Sequence, residues 1–469
     1  MTEEAPRPAP SEPRPAPSAE PSLPTPEMLG IPSGRRRCVL AACWVGLGVV
    51  LVAAMAWANL RRLAGDGSLD ALNLARLAAL LAATLLVVQL ALSARLGPLE
   101  KVFSLPALLR LHAITGATAA TLAALHPIIL FAPLGRGPTL SLSNWPILLG
   151  LAAWLAVVTV AATSIRRGFF ELSFEGWRRI HQLTFVLVAA VGVHSMAIGD
   201  DLEGGWPRAL WWGLLGAFAL LFLWVKVAKP AILRARPWRV ASAETVARDT
   251  VNVELESEGG SYLEHLPGQF AFLTFRGAAV PAEEHPFTIS SRPGRPQRVS
   301  FTIKGIGDFT SQLPRVRPGD RATVEGPYGR FSHLLYAGGA EDLLFIAGGI
   351  GITPLLSMLR FMAAARTERT ATLVWGNRTE GDIPFREEIE GLGERIPGFK
   401  VHHVLSEQED WEGEKGFVTK EVLQRLLTAE ELRRRVFLCG PPPMMDSVTK
   451  ALTALGTPRN RVHTERFRL

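Results

Sequence analysis

Six stretches in the first half of this chain, near residues 38–60, 75–93, 106–131, 146–165, 180–199 and 209–228, are apolar for long enough to cross a bilayer. A helix needs roughly 20 residues to span the hydrocarbon. Within lipid, only helices and closed barrels satisfy the backbone polar groups. A bundle of six transmembrane helices is therefore the expected first half. Orientation follows from the flanking bases. Arg35, Arg36 and Arg37 precede the first span, Arg95 and Lys101 follow the second, and Arg166, Arg167, Arg178 and Arg179 follow the fourth. Lys226, Lys229, Arg234 and Arg236 close the sixth. The opposite loops carry Asp200, Asp201 and Glu203, with Arg61, Arg62, Arg136 and Arg208 as exceptions. Both termini are expected in the cytoplasm, with the protein in the plasma membrane.

The net charge of +7 is concentrated beside these apolar runs, where anionic lipid accounts for it, so nucleic acid is not an expected partner. Cys38, Cys43 and Cys439 have no spacing that builds a disulfide framework or a metal site. Residues 1–34 are rich in Pro, Ala, Ser and Glu and are read as a disordered cytoplasmic tail. Such a Pro-rich tail is also open to partner binding.

The membrane half, 35–230, holds four histidines: His112 and His126 in the third span, His181 and His194 in the fifth. Ionisable side chains inside a bilayer are functional candidates by default. The first pair is fourteen positions apart and the second thirteen, roughly 20 Å along a helix in each case. The two spans run in the same direction. His112 and His181 therefore share one depth, and His126 and His194 another. Two parallel helices so marked are suited to clamp two haems, each iron held by an imidazole on either side. Thirteen α-helical steps do not return to the same face, so the fifth span must bend, bulge or begin late. The third span, with Arg110, His112, Thr115, Thr118, Thr121 and His126, is expected to turn its polar side chains towards other helices.

After Pro230 the patterning changes. Residues 231–337 show short alternating runs, expected to form an antiparallel β-barrel. They include Pro267-Gly-Gln-Phe270, His285-Pro-Phe-Thr-Ile-Ser-Ser291, Gly305-Ile-Gly-Asp-Phe-Thr310 and Glu325-Gly-Pro-Tyr-Gly-Arg-Phe331. Residues 338–469 alternate apolar strands with helices, as in an α/β parallel-sheet nucleotide domain. The buried-strand pattern Leu343–Ala347 runs into Gly348-Gly-Ile-Gly-Ile-Thr-Pro354. There Gly348, Gly349, Gly351, Thr353 and Pro354 suit a pyrophosphate loop at a helix N-terminus. Arg378, in Trp375-Gly-Asn-Arg-Thr379, is placed to pair with a 2′-phosphate, which favours NADPH while leaving NADH open.

The barrel and the nucleotide domain after it resemble the ferredoxin–NADP reductase type of flavoprotein. With the histidine helices in front, residues from about 75 to 469 resemble the NADPH oxidase and ferric reductase family. That resemblance implies FAD held by His285, Pro286, Phe287 and Thr288, with Thr288 at the reactive ring. Ser290, Lys304, Gly307, Asp308, Phe309 and Thr310 complete the implied flavin set. It also places Cys439, Gly440 and Pro441 beside the nicotinamide. A C-terminal aromatic covers the flavin ring in many members, and Phe467 is the counterpart here, although two residues follow it.

The expected function is electron transfer from cytoplasmic NADPH (or NADH) through FAD and two b-type haems to an acceptor outside. Dioxygen, a ferric chelate, a quinone and a protein acceptor all remain open, as does the oligomeric state. One alternative is a haem-free reductase that uses its helices only as an anchor and serves a cytoplasmic acceptor. Another, a channel or transporter with histidine relays, leaves the nucleotide and flavin motifs without a purpose.

Overall fold

The computed structural model describes residues 23–466 except 33, 67–70, 133–140, 167, 168, 170, 172, 200, 201, 203, 204, 278 and 337–340, with backbone alone at 58–66 and 174. Phe467 and residues 1–22 of the expected tail lie outside the described residues.

Six helical stretches are long and apolar enough to cross a membrane: 34–57, 71–93, 105–131, 142–165, 175–198 and 205–235. They contain α1 (Gly34–Asp66), α2 (Ala71–Ser93), α4 (Leu105–Phe131), α5 (Trp145–Ile165), the pair α6 (Phe174–His181) and α7 (Thr184–Ile198), and α8 (Gly205–Leu223) with α9 (Lys229–Ala235). A short α3 (Gly97–Glu100) links α2 to α4. The most enclosed span is α2, whose small Ala75, Ala78, Ala82 and Ala83 let neighbours approach closely. Leu80, Ala83 and Val87 pack there against Val188 and Trp211.

Two irregularities have local causes. Between α8 and α9 the helix widens to a π-turn over Trp224–Ala228, where the Lys229 amide bonds Trp224 O. Pro230 follows, and its ring cannot fit a regular turn. Between α6 and α7 the winding tightens. Leu183 N–H donates to Ile180 O (3.0 Å) and Phe185 N–H to Gln182 O (3.1 Å), both three residues back. The Thr184 hydroxyl caps His181 O at 2.7 Å. A 3₁₀ turn advances about 120° per residue against about 100° in an α-helix. About four such residues recover roughly 80° of the roughly 140° by which thirteen α-helical steps miss their starting face. The break directly after His181 thus supplies part of the rotation that a spacing of thirteen requires.

The expectation for the third span needs correction. Thr118 and Thr121 lie on the exposed side of α4 rather than against other helices. Their hydroxyls bond Ile114 O and Ala117 O within the same helix, which removes the need for an interhelical partner. The tail also ends earlier than expected. Residues 26–30 form a turn, Ile31 and Pro32 are buried, and Arg330 reaches Pro32 O. Apolar Met28, Leu29 and Ile31 interrupt the polar composition there.

The flavin-type half is a six-stranded antiparallel sheet of β1 (Trp238–Ala247), β2 (Thr250–Ser257), β3 (Phe270–Arg276), β4 (His285–Thr288), β5 (Arg298–Lys304) and β6 (Arg321–Tyr328), in the order β4-β3-β6-β1-β2-β5. Just past β4, a bridge between Ile289 and Phe301 brings the chain back to β5, so the sheet curls around Leu255, Leu273, Phe275, Ile289 and Phe301.

The last domain is a parallel sheet in the order β10-β9-β8-β7-β11-β12. Its strands are β7 (Leu343–Gly348), β8 (Ala371–Asn377), β9 (Lys400–Leu405), β10 (Glu414–Lys415), β11 (Arg435–Cys439) and β12 (Val462–Glu465). One face packs on α10 (Ile352–Ala364) and α11 (Arg386–Glu390), the other on α12 (Lys420–Leu426) and α13 (Pro442–Ala454). The order reverses between β7 and β11, and ligands of open α/β sheets bind at such a switch point.

Candidate functional site

The four membrane histidines form two pairs. The His112 and His181 rings lie 5.9 Å apart at their centroids, with an interplanar angle of 61°. His126 and His194 are close enough to interact electrostatically at the other level. Imidazole nitrogens bind a first-row metal at about 2.0–2.1 Å, which sets two rings on one ion about 6 Å apart. Among the described residues no group of three or more His, Cys, Asp or Glu converges on one point. The arrangement is one of opposed pairs.

Each ring is aimed by its other nitrogen. His112 Nδ1 meets Gln89 O at 3.2 Å, His126 Nδ1 meets Ala75 O at 2.9 Å, and His194 Nδ1 meets Pro146 O at 2.8 Å. A carbonyl oxygen accepts only, so Nδ1 carries the hydrogen in each and Nε2 keeps its lone pair. Such backbone anchoring fixes tautomer and orientation in metal-bound histidines. His181 differs, with Ser164 Oγ at 3.5 Å and the Trp177 ring 5.1 Å away. Gly150 supplies the last fit, since a Cβ built there would stand 2.4 Å from His194 Cε1. The donor chemistry and this cradle suit bis-imidazole haem ligation. None of the carbonyl partners, nor Gly150, carries a sequence signal, because helices far apart in the chain supply them.

In the barrel, Thr288 is buried at the end of β4 and pairs with Phe270. His285 stacks on Phe309 at 4.1 Å, which joins the first flavin segment to the second. Thr310 Oγ1 accepts from the amides of Ile306 and Gly307, both at 3.0 Å. The amides of Asp308, Phe309 and Thr310 find no acceptor among the described residues, and successive free amides make a nest suited to phosphate. The position of Gly307 faces open space. Two expected contacts are otherwise engaged. The Ser290 hydroxyl bonds Ser300 O and accepts from Thr302 Oγ1 inside the sheet. Lys304 Nζ pairs with Asp382 at 3.0 Å and joins the barrel to the nucleotide domain.

The glycines after β7 divide into two roles. Added Cβ atoms at Gly348 and Gly351 would meet Met444 Sδ at 2.3 Å and Cys439 O at 2.3 Å, and Gly440 packs against Gly348 in return. These three let two loops lie backbone on backbone. Gly349, at φ +51° with nothing nearby, faces open space where a pyrophosphate can approach. Thr353 and Pro354 fall in the first turn of α10, and Pro441 precedes α13. Arg378 directly follows β8, half-exposed and 3.7 Å from Asp382. Burial and then the nearby Glu465 carboxylate push the Cys439 thiol up, so it stays protonated. Glu465, paired in register with Cys439, is partly buried, and burial raises its carboxyl to about 8. Its Oε2 has no hydrogen-bond partner among the described residues. This carboxyl beside Cys439 was missed from sequence, where it reads as one more charge in a polar C-terminus.

Three family models match the chain in sequence: a ferric reductase like transmembrane component over residues 78–192, a FAD-binding domain over 236–332 and an oxidoreductase NAD-binding domain over 345–450. Over 239 residues the chain is 30% identical to the stachydrine N-demethylase reductase subunit Stc4 of Rhizobium meliloti (strain 1021), covering 50% of this chain and 67% of that one. It is 34% identical over 238 residues to the propane 2-monooxygenase reductase component of Mycolicibacterium smegmatis, covering 49% and 66%. The chain spans 55–67% of the length of the curated relatives it matches. Among solved structures, the FAD/NAD binding domain of nitric oxide dioxygenase from Vibrio cholerae O1 biovar El Tor matches at 20% identity and a TM-score of 0.44, over 49% of this chain and 98% of that one.

Proposed function

Because the chain belongs to the family that fuses a ferric reductase-like transmembrane component to FAD-binding and NAD-binding domains, it is a multi-pass membrane oxidoreductase of the NAD(P)H-dependent flavin type, and we propose that it carries electrons from cytoplasmic NADPH across the bilayer to an acceptor outside. The observation that carries this reading is the opposed pair of imidazoles 5.9 Å apart, with a second pair one helix-length away. His112 and His181 would hold the inner haem, and His126 and His194 the outer one. Flavin supplies the conversion of hydride into single electrons, and haem iron supplies one-electron carriage.

The chain's own residues bind and orient. The free amides of Asp308 to Thr310 receive the flavin phosphates. Thr288 and Phe270 form the wall against which the ring is set. The N-terminus of α10 attracts the nucleotide pyrophosphate beside Gly349. The neutral Cys439 thiol and the buried Glu465 carboxyl keep the nicotinamide end free of negative charge near neutral pH. Bases cluster at one end of the spans, around Arg95, Lys101, Arg178 and Lys229, where the barrel is docked. This supports cytoplasmic termini.

The deciding experiment is the absorption spectrum of the purified, haem-supplied protein before and after NADPH. A Soret band that shifts on reduction is expected. His194→Ala should lose the outer haem alone and keep flavin reduction intact. A two-haem spectrum unchanged in that variant would overturn the assignment. The relatives named as reductase components favour the second reading, a haem-free reductase serving a cytoplasmic acceptor, and a colourless Soret region would select it.

Arg378 is proposed to take the 2′-phosphate of NADPH. Loss of one charge-assisted contact of this kind costs about tenfold. Arg378→Ala should therefore raise KM for NADPH about tenfold and leave KM for NADH nearly unchanged. Equal effects on both nucleotides would remove that role.

A further inference from the structure

Between the membrane helices and the barrel lies a cluster of five charged side chains that none of the sites above uses. Arg95 projects from just beyond the end of α2, and its backbone is in the left-handed region at φ +53°. A glycine would take this helix-end position at lower cost, so the side chain itself is needed there. Arg95 Nη2 and Nη1 donate to Glu284 Oε2 at 2.6 Å and Oε1 at 3.1 Å. Nη1 also lies 3.2 Å from Glu325 Oε1. The guanidinium sits 3.8 Å above the Phe272 ring. Lys229, placed by the π-turn at the end of the sixth span, pairs with Glu325 at 2.5 Å. Arg178, one turn before His181 on α6, lies 4.0 Å from Glu284. Tyr328 Oη donates to Glu325 at 2.6 Å.

Three cations of the membrane half thus meet two carboxylates of the barrel. Only 19% of the Arg95 side chain and 24% of the Glu284 side chain are exposed, so the pair is screened far less than a surface pair. Burial alone would raise Glu284, but the Arg95 pair outweighs it and holds the carboxyl below its ordinary range. Leu105 and Leu109, on the turns of α4 before His112, pack beside this cluster against Phe270, Phe272 and Tyr328.

The position of Glu284 in the chain gives the cluster its meaning. The next residue is His285, the start of the flavin segment. Its partner Arg95 ends the helix whose Gln89 carbonyl aims His112, and its other partner Arg178 precedes His181. We propose that Glu284 is a positioning residue that latches the flavin barrel to the membrane helices through Arg95, and so fixes the flavin segment relative to the inner histidine pair. The consequence for electron transfer rests on the two-haem reading above.

The test uses the full-length, cofactor-loaded protein in nanodiscs, with Glu284→Gln, Arg95→Gln, the double variant and Glu284→Asp. Amide exchange in residues 102–109 and 268–276 should rise in both glutamine variants. Flavin content and flavin bleaching by the nucleotide should match the parent. Haem reduction at the Soret band should slow by about ten- to a hundredfold, the effect of a small misplacement of reacting groups. The double variant should fall short of the sum of the two single effects, because both singles remove the Arg95–Glu284 contact. Glu284→Asp should recover part of the rate and of the protection. Should Glu284→Gln not accumulate, Arg178→Gln, which removes the more distant partner, should give a smaller change in the same two readouts. Unaltered exchange with unaltered haem reduction, additive effects, or flavin bleaching slowed as much as haem reduction would each overturn the proposal. A parent lacking a Soret band sinks the two-haem reading instead, and the exchange measurement then still decides whether the latch exists.

Discussion

Replacing His181 with alanine is expected to halve the haem content per chain and to reduce nucleotide-driven reduction of the remaining haem to the rate of a nucleotide-free control. His181 stands opposite His112 at the level nearest the barrel. Under the proposed order, no electron reaches the outer pair without passing this one. FAD content and flavin reduction by the nucleotide should be unaffected, because the flavin and pyridine nucleotide sites are built from β3 onward. The measurement is a haem-to-protein ratio combined with anaerobic rapid mixing followed separately at the flavin and Soret bands. Full haem content in His181→Ala, or outer-haem reduction at the parental rate, would show that the inner pair is not a haem site.

Gly351→Ala is expected to have the second largest effect, now at the nucleotide domain. Its new methyl would stand 2.3 Å from Cys439 O, 2.6 Å from Cys439 C and 2.8 Å from Gly440 Cα. All three are backbone atoms of a loop already held by the parallel pairing of β11 with β7, so none can swing aside. Overpacking against such a rigid neighbour costs about 3 kcal/mol, equivalent to roughly a hundredfold loss in nucleotide affinity if the two loops part. KM for NADPH and NADH should rise together while the oxidised flavin and haem spectra stay unchanged. Gly349→Ala is the contrasting control. No atom stands near its Cβ, and its cost comes only from the positive φ and from the lost approach of the ligand. An affinity in Gly351→Ala within twofold of the parent would show that the two loops are not held as described.

The architecture was legible because it rests on local pattern. A run of twenty apolar residues has one use in lipid, and alternating strands followed by strand–helix units have few folds open to them. The six spans, the antiparallel sheet and the parallel sheet all follow from such runs. The four histidines were legible for the same reason, since their spacing within two helices sets their depth. Other features were beyond the reach of pattern. The polar face of the third span was misjudged because a threonine hydroxyl can return to its own helix, so polarity alone does not say which way a residue faces. The partners of Ser290 and Lys304, a carbonyl within the sheet and Asp382 of the nucleotide domain, likewise carry no local signal.

The sequence by itself determined the element types and the depth of each histidine pair, because each depends on neighbours a few positions away. Only the tertiary structure decided how the thirteen-position spacing of His181 and His194 is met, which carbonyls aim the imidazoles, which glycines are spacers rather than ligand cradles, and that Glu284 meets Arg95 across 189 positions of chain. Those contacts join groups far apart in sequence. Their partners are selected by the closing of helices and sheets against one another, and no local propensity encodes that choice.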